Sequence, residues 1–301
     1  MIAGGTVAGI SVECNCVTTG NLDRGLAILE LLAANAGGLP MHEIADQLNI
    51  PRSATHRLLM ELIRHGYVRQ QKEYGEYTLT LRLCSLGLSQ LSGMGVIDIS
   101  QPILDQLAQI SGEVARLSVI DGDQLVWVAK AQGASSGLRF DPDMGGVVDL
   151  ISTASGHAWL SSLSEEAAIE LISRQGGFVR RDDYGPNVPQ TVQDLLKMLH
   201  EARVRGFAMV SEAVHLGIAA VAAPVRHPQS GRVIGVISVA GPHVRLTDQR
   251  LEQLGPAVVA ATNDLAATCA GSPFLKRAIA QTSRQTEVTA APTSQKRRVK
   301  T

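Results

Sequence analysis

The feature that most constrains the fold is the segment PRSATHRLLMELIRHGYV, residues 51–68. Its apolar residues recur at the spacing of one helical face: Leu58, Leu59, Leu62 and Ile63. Cations and hydroxyls fill most of the other positions, and Glu61 is the one acid in the segment. Such a helix is either an ordinary amphipathic surface element or one that contacts a polyanion. The neighbouring segments distinguish these two interpretations.

Two further helices are predicted before this segment. The stretch NLDRGLAILELLAANAGG predicts the first helix, with Asn21 as its N-cap. Its apolar face is expected to consist of Leu22, Leu26, Leu29 and Ala33. The stretch LPMHEIADQLNI predicts a short second helix with Ile44 and Leu48 facing inward. A tight turn at residues 49–50 then leads to Pro51, which suits the first position of the third helix.

A β-hairpin is predicted after the third helix, which ends at Gly66. The runs YVRQQ and EYTLT are short and β-prone, and Gly75 lies in the turn between them. Three short helices followed by a hairpin form a winged helix-turn-helix, here over residues 21–80. This arrangement predicts binding to double-stranded DNA. The alternative interpretation is a winged-helix module that contacts another protein.

The amino-terminal end of the third helix is the predicted DNA-contacting surface. A helix amino terminus carries a positive partial charge and free N–H groups, which favour a phosphate. Five side chains are expected to enter the major groove: Arg52, Ser53, Thr55, His56 and Arg57. Two more, on the hairpin, are expected to contact the DNA backbone or minor groove: Arg69 and Lys72. Residues 51–72 contain five cations against a single acid, whereas the whole chain has a formal net charge of −1.

Composition sets the class of protein and its compartment. A chain of 301 residues with 45% hydrophobic and 18% charged residues predicts a soluble globular protein of two compact units. Aromatic residues are scarce, which argues against stacking on single-stranded nucleic acid. The four cysteines are few and far apart, which indicates a reducing compartment. With no membrane-length apolar run and no secretory signal, we expect a cytoplasmic protein that does not contact a membrane.

The rest of the chain predicts an α+β domain. Residues 81–93 predict an amphipathic linker helix, and a long helix follows with three apolar residues in register: Ile103, Leu107 and Ile110. The stretches RLSVIDGDQLVWVAKAQG and GIAAVAAPVRHPQSGRVIGVISVAG each predict a pair of strands joined by a loop. Helices are predicted over 164–174, 190–205 and 247–268. Strand pairs separated by helices favour an antiparallel sheet with flanking helices.

An enzyme or a metal protein has less support in the sequence. A hydrolase triad is suggested only by the residue types of Ser155, His157 and Glu212. The sequence contains no GxSxG, HExxH, P-loop or dinucleotide-binding motif. Cys14 and Cys16 could bind a metal together with Cys84, but such cysteines are more often free thiols. We therefore predict no catalytic residues, no metal site and no cofactor.

The chain resembles the IclR-type (isocitrate lyase regulator) family of bacterial transcription factors. The resemblance rests on LDRGLAILELL, EIADQLNIPRSATHRLLMELIRHGYV, TASGHAWLSSLSEE, RVRGFAMVSEAVHLGIAAVAAPV and GRVIGVISVAGPHVRLT, in this order. It implies a winged helix, a linker helix and a GAF-like effector-binding domain, assembled as dimers or dimers of dimers. The implied organisation is an arm at 1–20, a DNA-binding domain at 21–80, a linker helix at 81–96, an effector domain at 97–270 and a basic tail at 271–301. A winged helix that reads two half-sites needs a dimer, and the candidates for that contact on the linker helix are Leu83, Leu86 and Leu91.

The resemblance also implies positions for an effector pocket. The matching residues are Ala154, Ser155, His157, Val210, Ala220, Ser238 and Ala240. Members that bind small hydroxy- or keto-acids tend to have polar residues where this chain has Val210, Ala220 and Ala240. We therefore expect a small carboxylate with an aromatic body, held by the two serines and a charged His157, in a regulator of a catabolic operon. The alternatives are that these apolar residues are simply strand core, and that the protein is a hydrolase-like enzyme with a DNA-contacting domain.

Overall fold

The computed structural model describes residues 20–71, 75–142, 144–178 and 184–268. The chain divides into two compact units, with the boundary between Leu91 and Ser92. No helix among the described residues is long and apolar enough to cross a membrane.

The first unit contains the predicted helices and hairpin. In chain order its elements are α1 (Asn21–Ala34), α2 (Met41–Gln47), α3 (Arg52–Arg64), β1 (Val68–Gln70), β2 (Tyr77–Leu79) and α4 (Leu81–Met94), which crosses the boundary. The two strands are antiparallel, and Arg69 lies opposite Thr78. Asn49 adopts a left-handed conformation with a φ of 50° in the tight turn between α2 and α3. The predicted winged helix-turn-helix is therefore confirmed.

The core of the first unit confirms only Leu29 of the four residues predicted for the buried face of α1. The buried residues of this core are Ile28, Leu32, Leu39, Ile44, Leu58, Leu59, Val68 and Tyr77. Leu22 and Leu26 are exposed instead, because α1 packs on α3 through the adjacent stripe that contains Ile28 and Leu32. Both stripes are apolar, so periodicity alone does not select between them. The N-cap is Gly20 rather than Asn21, and the Gly20 N–H donates to the Asp23 carboxylate at 3.3 Å.

The second unit is built around one antiparallel sheet. Its helices are α5 (Val96–Ser111), α6 (Ala154–Leu160), α7 (Glu165–Arg174), α8 (Val192–Arg205) and α9 (Asp248–Thr268). Its strands are β3 (Val114–Asp121), β4 (Gln124–Gln132), β5 (Ala208–Ser211), β6 (Ile218–Arg226) and β7 (Val233–Pro242). The strand order is β4-β3-β7-β6-β5, and every neighbouring pair is antiparallel. The predicted α+β class with an antiparallel sheet and flanking helices is confirmed.

The two faces of this sheet carry different cores. Side chains of a strand alternate between the two faces, so Leu117 and Val119 lie on one face of β3 and Val114 on the other. Helices α5 and α9 cover the first face, and α6 covers the second. We call this second face the α6 face. The residues of this face and the residues of α6, which covers it, form the candidate site described below.

One local prediction in the second unit is wrong. Ile110 is half exposed, because α5 turns Leu104, Leu107 and Ala108 toward the sheet. The helix α6, which is not predicted from the sequence, begins directly after Thr153. The Thr153 hydroxyl begins this helix by accepting a hydrogen bond from the Gly156 N–H at 2.9 Å.

Candidate functional site

The amino-terminal part of α3 presents polar side chains to solvent. Arg52, Ser53, His56 and Arg57 are exposed, and together they form the surface that we call the α3 cationic end. Arg52 lies 4.0 Å from the Asp46 carboxylate, but both side chains are 67% exposed. An ion pair so open to water is weak, so Arg52 can exchange this partner for a phosphate at little cost.

Thr55 does not belong to this surface, contrary to the prediction. Its side chain is fully buried, and its hydroxyl donates to the Pro51 carbonyl oxygen at 3.2 Å. Position 55 is three and four residues before the buried Leu58 and Leu59, and therefore lies on the same helical face. The spacing of Thr55 from Leu58 and Leu59 in the sequence therefore already indicates a buried position.

The hairpin supplies one described cation near this surface. Arg69 on β1 is exposed, and its Nε donates to the Thr78 hydroxyl on β2 at 3.3 Å. This bond orients the arginine across the hairpin. The predicted Lys72 lies outside the described residues. Arg64, in the last turn of α3, is paired with Glu61 at 2.5 Å and so has an anionic partner within its own helix.

The structure brings the predicted effector residues together on the α6 face. Sheet register places four residues in one row across four strands: Val114, Ala240, Ala220 and Val210. The next row on the same face contains Arg116, Ser238, Ala222 and Ala208. All eight residues are buried. These two rows therefore combine a small-residue surface with one cation and one hydroxyl.

Helix α6 places Ser155 and His157 over this face. Ala154, Ser155 and His157 are all buried, and α6 contacts β5, β6 and β7. The ring of His157 lies 2.6 Å from the Ile151 carbonyl oxygen through its Nε2. Because a carbonyl oxygen only accepts hydrogen bonds, Nε2 carries the proton and donates it.

A charged His157 is not supported. Complete burial lowers the pKa of this histidine below 6.5, and the hydrogen bond to Ile151 and the charge of Asp149 oppose that shift only partly. Burial therefore disfavours the charged form of His157 in the ligand-free protein, because the cost of desolvating an imidazolium is only partly offset by Ile151 and Asp149. This shift does not favour the charged His157 that is expected from the sequence to hold a ligand carboxylate.

Arg116 is the site residue that the sequence analysis missed. Its side chain is 9% exposed, and the guanidinium carbon lies 3.6 Å from the centroid of the Trp127 ring and 5.7 Å from that of Phe140. Burial lowers the pKa of Arg116 to about 9, so the group keeps its charge at neutral pH. The available signal was a lone cation within the otherwise apolar run VARLSVI.

The residues suggested for other chemistry are not brought together. Glu212 Oε1 accepts from the Gly217 N–H at 3.0 Å, whereas His157 donates to Ile151. Among the residues that the structure describes, no hydrogen bond or ion pair joins Ser155, His157 and Glu212. Cys84 is a free, exposed thiol on α4, and Cys14 and Cys16 lie outside the described ranges.

Comparison with known proteins identifies the family. The model for the IclR helix-turn-helix domain matches residues 21–72, and the model for the bacterial transcriptional regulator IclR C-terminal domain matches residues 88–267. The chain belongs to the IclR family. The acetate operon repressor of Salmonella typhimurium is 30% identical to it over 253 residues, covering 84% of this chain and 90% of the repressor. The transcriptional repressor IclR of Escherichia coli is also 30% identical, covering 81% and 88% of the two chains.

Solved structures of IclR proteins share the fold. The IclR of Thermotoga maritima matches 82% of this chain and 97% of its own, with a TM-score of 0.66 and 24% identity. An IclR homolog from Microbacterium hydrocarbonoxydans, solved in complex with 4-hydroxybenzoate, matches 82% of this chain and 100% of its own, with a TM-score of 0.67 and 20% identity. The protein is thus a DNA-binding transcriptional regulator with the IclR architecture, and the two relatives named above are repressors.

Proposed function

We propose that this IclR-family protein regulates a catabolic operon, and that its affinity for operator DNA changes when its second unit binds a small carboxylate with an aromatic body. This proposal rests on the presence of two features in the same chain. The α3 cationic end is exposed, and the α6 face is buried and partly polar. The protein represses or activates according to where the operator lies relative to the promoter.

The α3 cationic end supports the DNA part of the proposal. Arg52, Ser53, His56 and Arg57 are exposed at the amino terminus of a helix whose other face is anchored by Leu58 and Leu59. Arginine can read guanine through two hydrogen bonds, and hydroxyls suit phosphates. Arg69 on the hairpin is available for a backbone contact.

The α6 face supports the ligand part of the proposal. A buried surface of alanine and valine suits an apolar ring better than a small keto-acid, whose oxygens would remain unpaired. A related fold has been solved with 4-hydroxybenzoate bound, so the IclR architecture is able to hold an aromatic carboxylate. An effect on DNA affinity of about 1–3 kcal/mol is typical of coupling between two such sites.

Helix α4 supports assembly with a second copy of the chain. None of its residues is buried, although it carries exposed leucines at positions 81, 83, 86 and 88. A helix with this much exposed apolar surface is usually covered by a partner. A homodimer, or a dimer of dimers, would present two α3 helices to the two half-sites of an operator.

The DNA part is tested by measuring operator binding of Arg57→Ala. The measurement is fluorescence anisotropy on duplex DNA from upstream of the protein's own gene and its neighbouring genes, with a scrambled duplex as competitor and no added ligand. We expect Arg57→Ala to weaken specific binding by about 1–3 kcal/mol if the arginine reads a base. The fold should be retained, because Arg57 is exposed and the core side of α3 is unchanged.

The matched control is Arg64→Ala on the same helix. Arg64 is also exposed, but Glu61 already neutralises it and it lies in the last turn rather than the first. Its operator affinity should stay within about 0.5 kcal/mol of wild type, as for an ordinary surface substitution. Equal losses in both variants would show that charge in general, rather than the amino-terminal end of α3, determines binding.

A further inference from the structure

The α6 face contains a buried cation that has no anionic partner. No ion pair joins Arg116 to a carboxylate among the described residues, and its Nε has no hydrogen-bond acceptor there. Directly across the β3–β7 ladder, the buried Ser238 hydroxyl also lacks a partner. Unsatisfied buried donors are uncommon in proteins and cost stability. Two of them side by side therefore require an explanation.

We propose that Arg116 and Ser238 form the anchor for the ligand's carboxylate, and that the ligand is a monocarboxylate whose ring lies on the small-residue floor of the α6 face. This inference rests on the proposed ligand-responsive function and specifies the chemistry of its site. The planar guanidinium donates to one or both carboxylate oxygens, and the Ser238 hydroxyl donates to one of them. Burial disfavours the charged form of His157, and its Nε2 already donates to Ile151, so we do not assign the carboxylate to His157.

The surroundings of Arg116 explain why one negative charge is expected. Lys130 lies opposite Arg116 on the neighbouring strand, but its ammonium is paired with Asp141 at 2.6 Å. The only uncompensated cation among the described buried residues of this face is therefore Arg116. A single cation balances a single carboxylate, whereas a dicarboxylate would bury a second, unpaired charge.

The segment that carries Phe140 explains the preference for an aromatic body. The Gln132 amide donates to the Phe140 carbonyl oxygen at 3.0 Å, and Lys130 donates to the Pro142 carbonyl oxygen at 3.1 Å. These bonds hold the segment beside the anchor, so the rings of Trp127 and Phe140 both lie near the guanidinium. The rings stabilise the cation in the ligand-free protein and offer flat apolar surface beside it. Ala220 and Ala240 continue that surface away from the charge.

The first test needs no ligand and uses the thermal unfolding of the full chain. Arg116→Met removes a buried unpaired charge and keeps most of the side-chain volume. We expect its Tm to rise by about 2–4 °C, because an apolar side chain replaces an uncompensated buried cation. Arg226→Met is the matched control: Arg226 is an exposed arginine on the same sheet, so its Tm should change by no more than about 1 °C. A lower Tm for Arg116→Met would give this arginine a structural role and overturn the proposal.

The second test adds named probes at millimolar concentration and measures the shift in Tm. Benzoate and 4-hydroxybenzoate should raise the Tm of the wild type, whereas benzamide, which has the same shape without the charge, should not. Arg116→Met should lose the carboxylate-induced shift and Ser238→Ala should reduce it. Arg116→Lys should restore part of it, and Arg226→Met should retain all of it.

Three outcomes of the second test would overturn the anchor. They are a carboxylate shift that survives in Arg116→Met, an equal response to benzamide, and a wild type that none of the carboxylates stabilises. If pyruvate or glyoxylate raised the Tm more than benzoate does, the proposal that the ligand is aromatic would be overturned. These outcomes are separate from a failure of the DNA proposal, because operator binding is measured without ligand and through α3.

Discussion

Ser118 and Ser238 are buried on the same face of the sheet but differ in their hydrogen bonds. The Ser118 hydroxyl donates to the Val236 carbonyl oxygen at 3.3 Å, whereas the Ser238 hydroxyl has no partner. We expect Ser118→Ala to lower the free energy of unfolding by about 1 kcal/mol, the typical contribution of such a bond. Ser238→Ala should be neutral or slightly stabilising, because it removes an unsatisfied hydroxyl. Urea unfolding of both variants without ligand measures the difference.

This comparison distinguishes a ligand-binding serine from a structural one. A residue kept for ligand binding contributes little to the stability of the free protein, whereas a structural residue contributes through its own contacts. If Ser238→Ala destabilised the protein as much as Ser118→Ala, the hydroxyl would have a partner in solution, and its role as a ligand donor would lose its support.

At the scale of elements, α6 depends on a close approach to the segment before it. A Cβ on Gly156 would lie 2.4 Å from the Leu150 Cα and 2.5 Å from the Leu150 carbonyl oxygen. Only glycine lets the helix approach this backbone so closely, and the helix contacts β5, β6 and β7. We expect Gly156→Ala to lower the free energy of unfolding by about 1–3 kcal/mol and to weaken carboxylate binding. Circular dichroism during thermal unfolding, with and without 4-hydroxybenzoate, measures both effects.

A second helical glycine supplies the control for α6. Gly25 lies within α1, and a Cβ there would meet nothing within 4 Å. Gly25→Ala should therefore stabilise α1 by about 0.5–1 kcal/mol through its higher helix propensity. A gain in stability from Gly156→Ala would contradict the close packing described for α6.

At the scale of the whole molecule, the exposed leucines of α4 are the basis of the proposed dimer. Leu86 is 53% exposed on α4, and Leu81 is 78% exposed. We expect Leu86→Glu to shift the protein from dimer toward monomer and to weaken operator binding, because a buried carboxylate at an apolar contact is costly. Analytical ultracentrifugation at micromolar concentration measures the first effect, and anisotropy on operator DNA measures the second.

Ser89→Glu is the matched control for this contact. Ser89 is also exposed on α4 and lies one helical turn after Ser85, on a polar side of the helix. A glutamate at this position should therefore leave the dimer intact. A wild-type protein that sediments as a monomer would contradict the proposed dimer, whatever the variants do.

The sequence by itself determined most of the elements and their order. Apolar periodicity, turn residues and strand alternation are local properties, so they located α3, the hairpin, two strand pairs of the large sheet and the helices α5, α7, α8 and α9, but they did not locate the strand β5 or the helix α6. The exposed position of Arg52, Ser53, His56 and Arg57 followed from the same helical periodicity. Thr55 was predictable too, since its spacing from Leu58 and Leu59 places it in the core.

Tertiary structure alone decided which of several apolar stripes is buried and which distant residues meet. In α1, two adjacent stripes are apolar, and packing against α3 selected the one with Ile28 and Leu32. Strand register places Arg116 opposite Ser238, although the two residues are 122 positions apart in the sequence. Burial then disfavoured the charged form of His157, whereas Arg116, with a pKa of about 9, keeps its charge at neutral pH. Register and burial depend on contacts far apart in the chain, which no local pattern encodes.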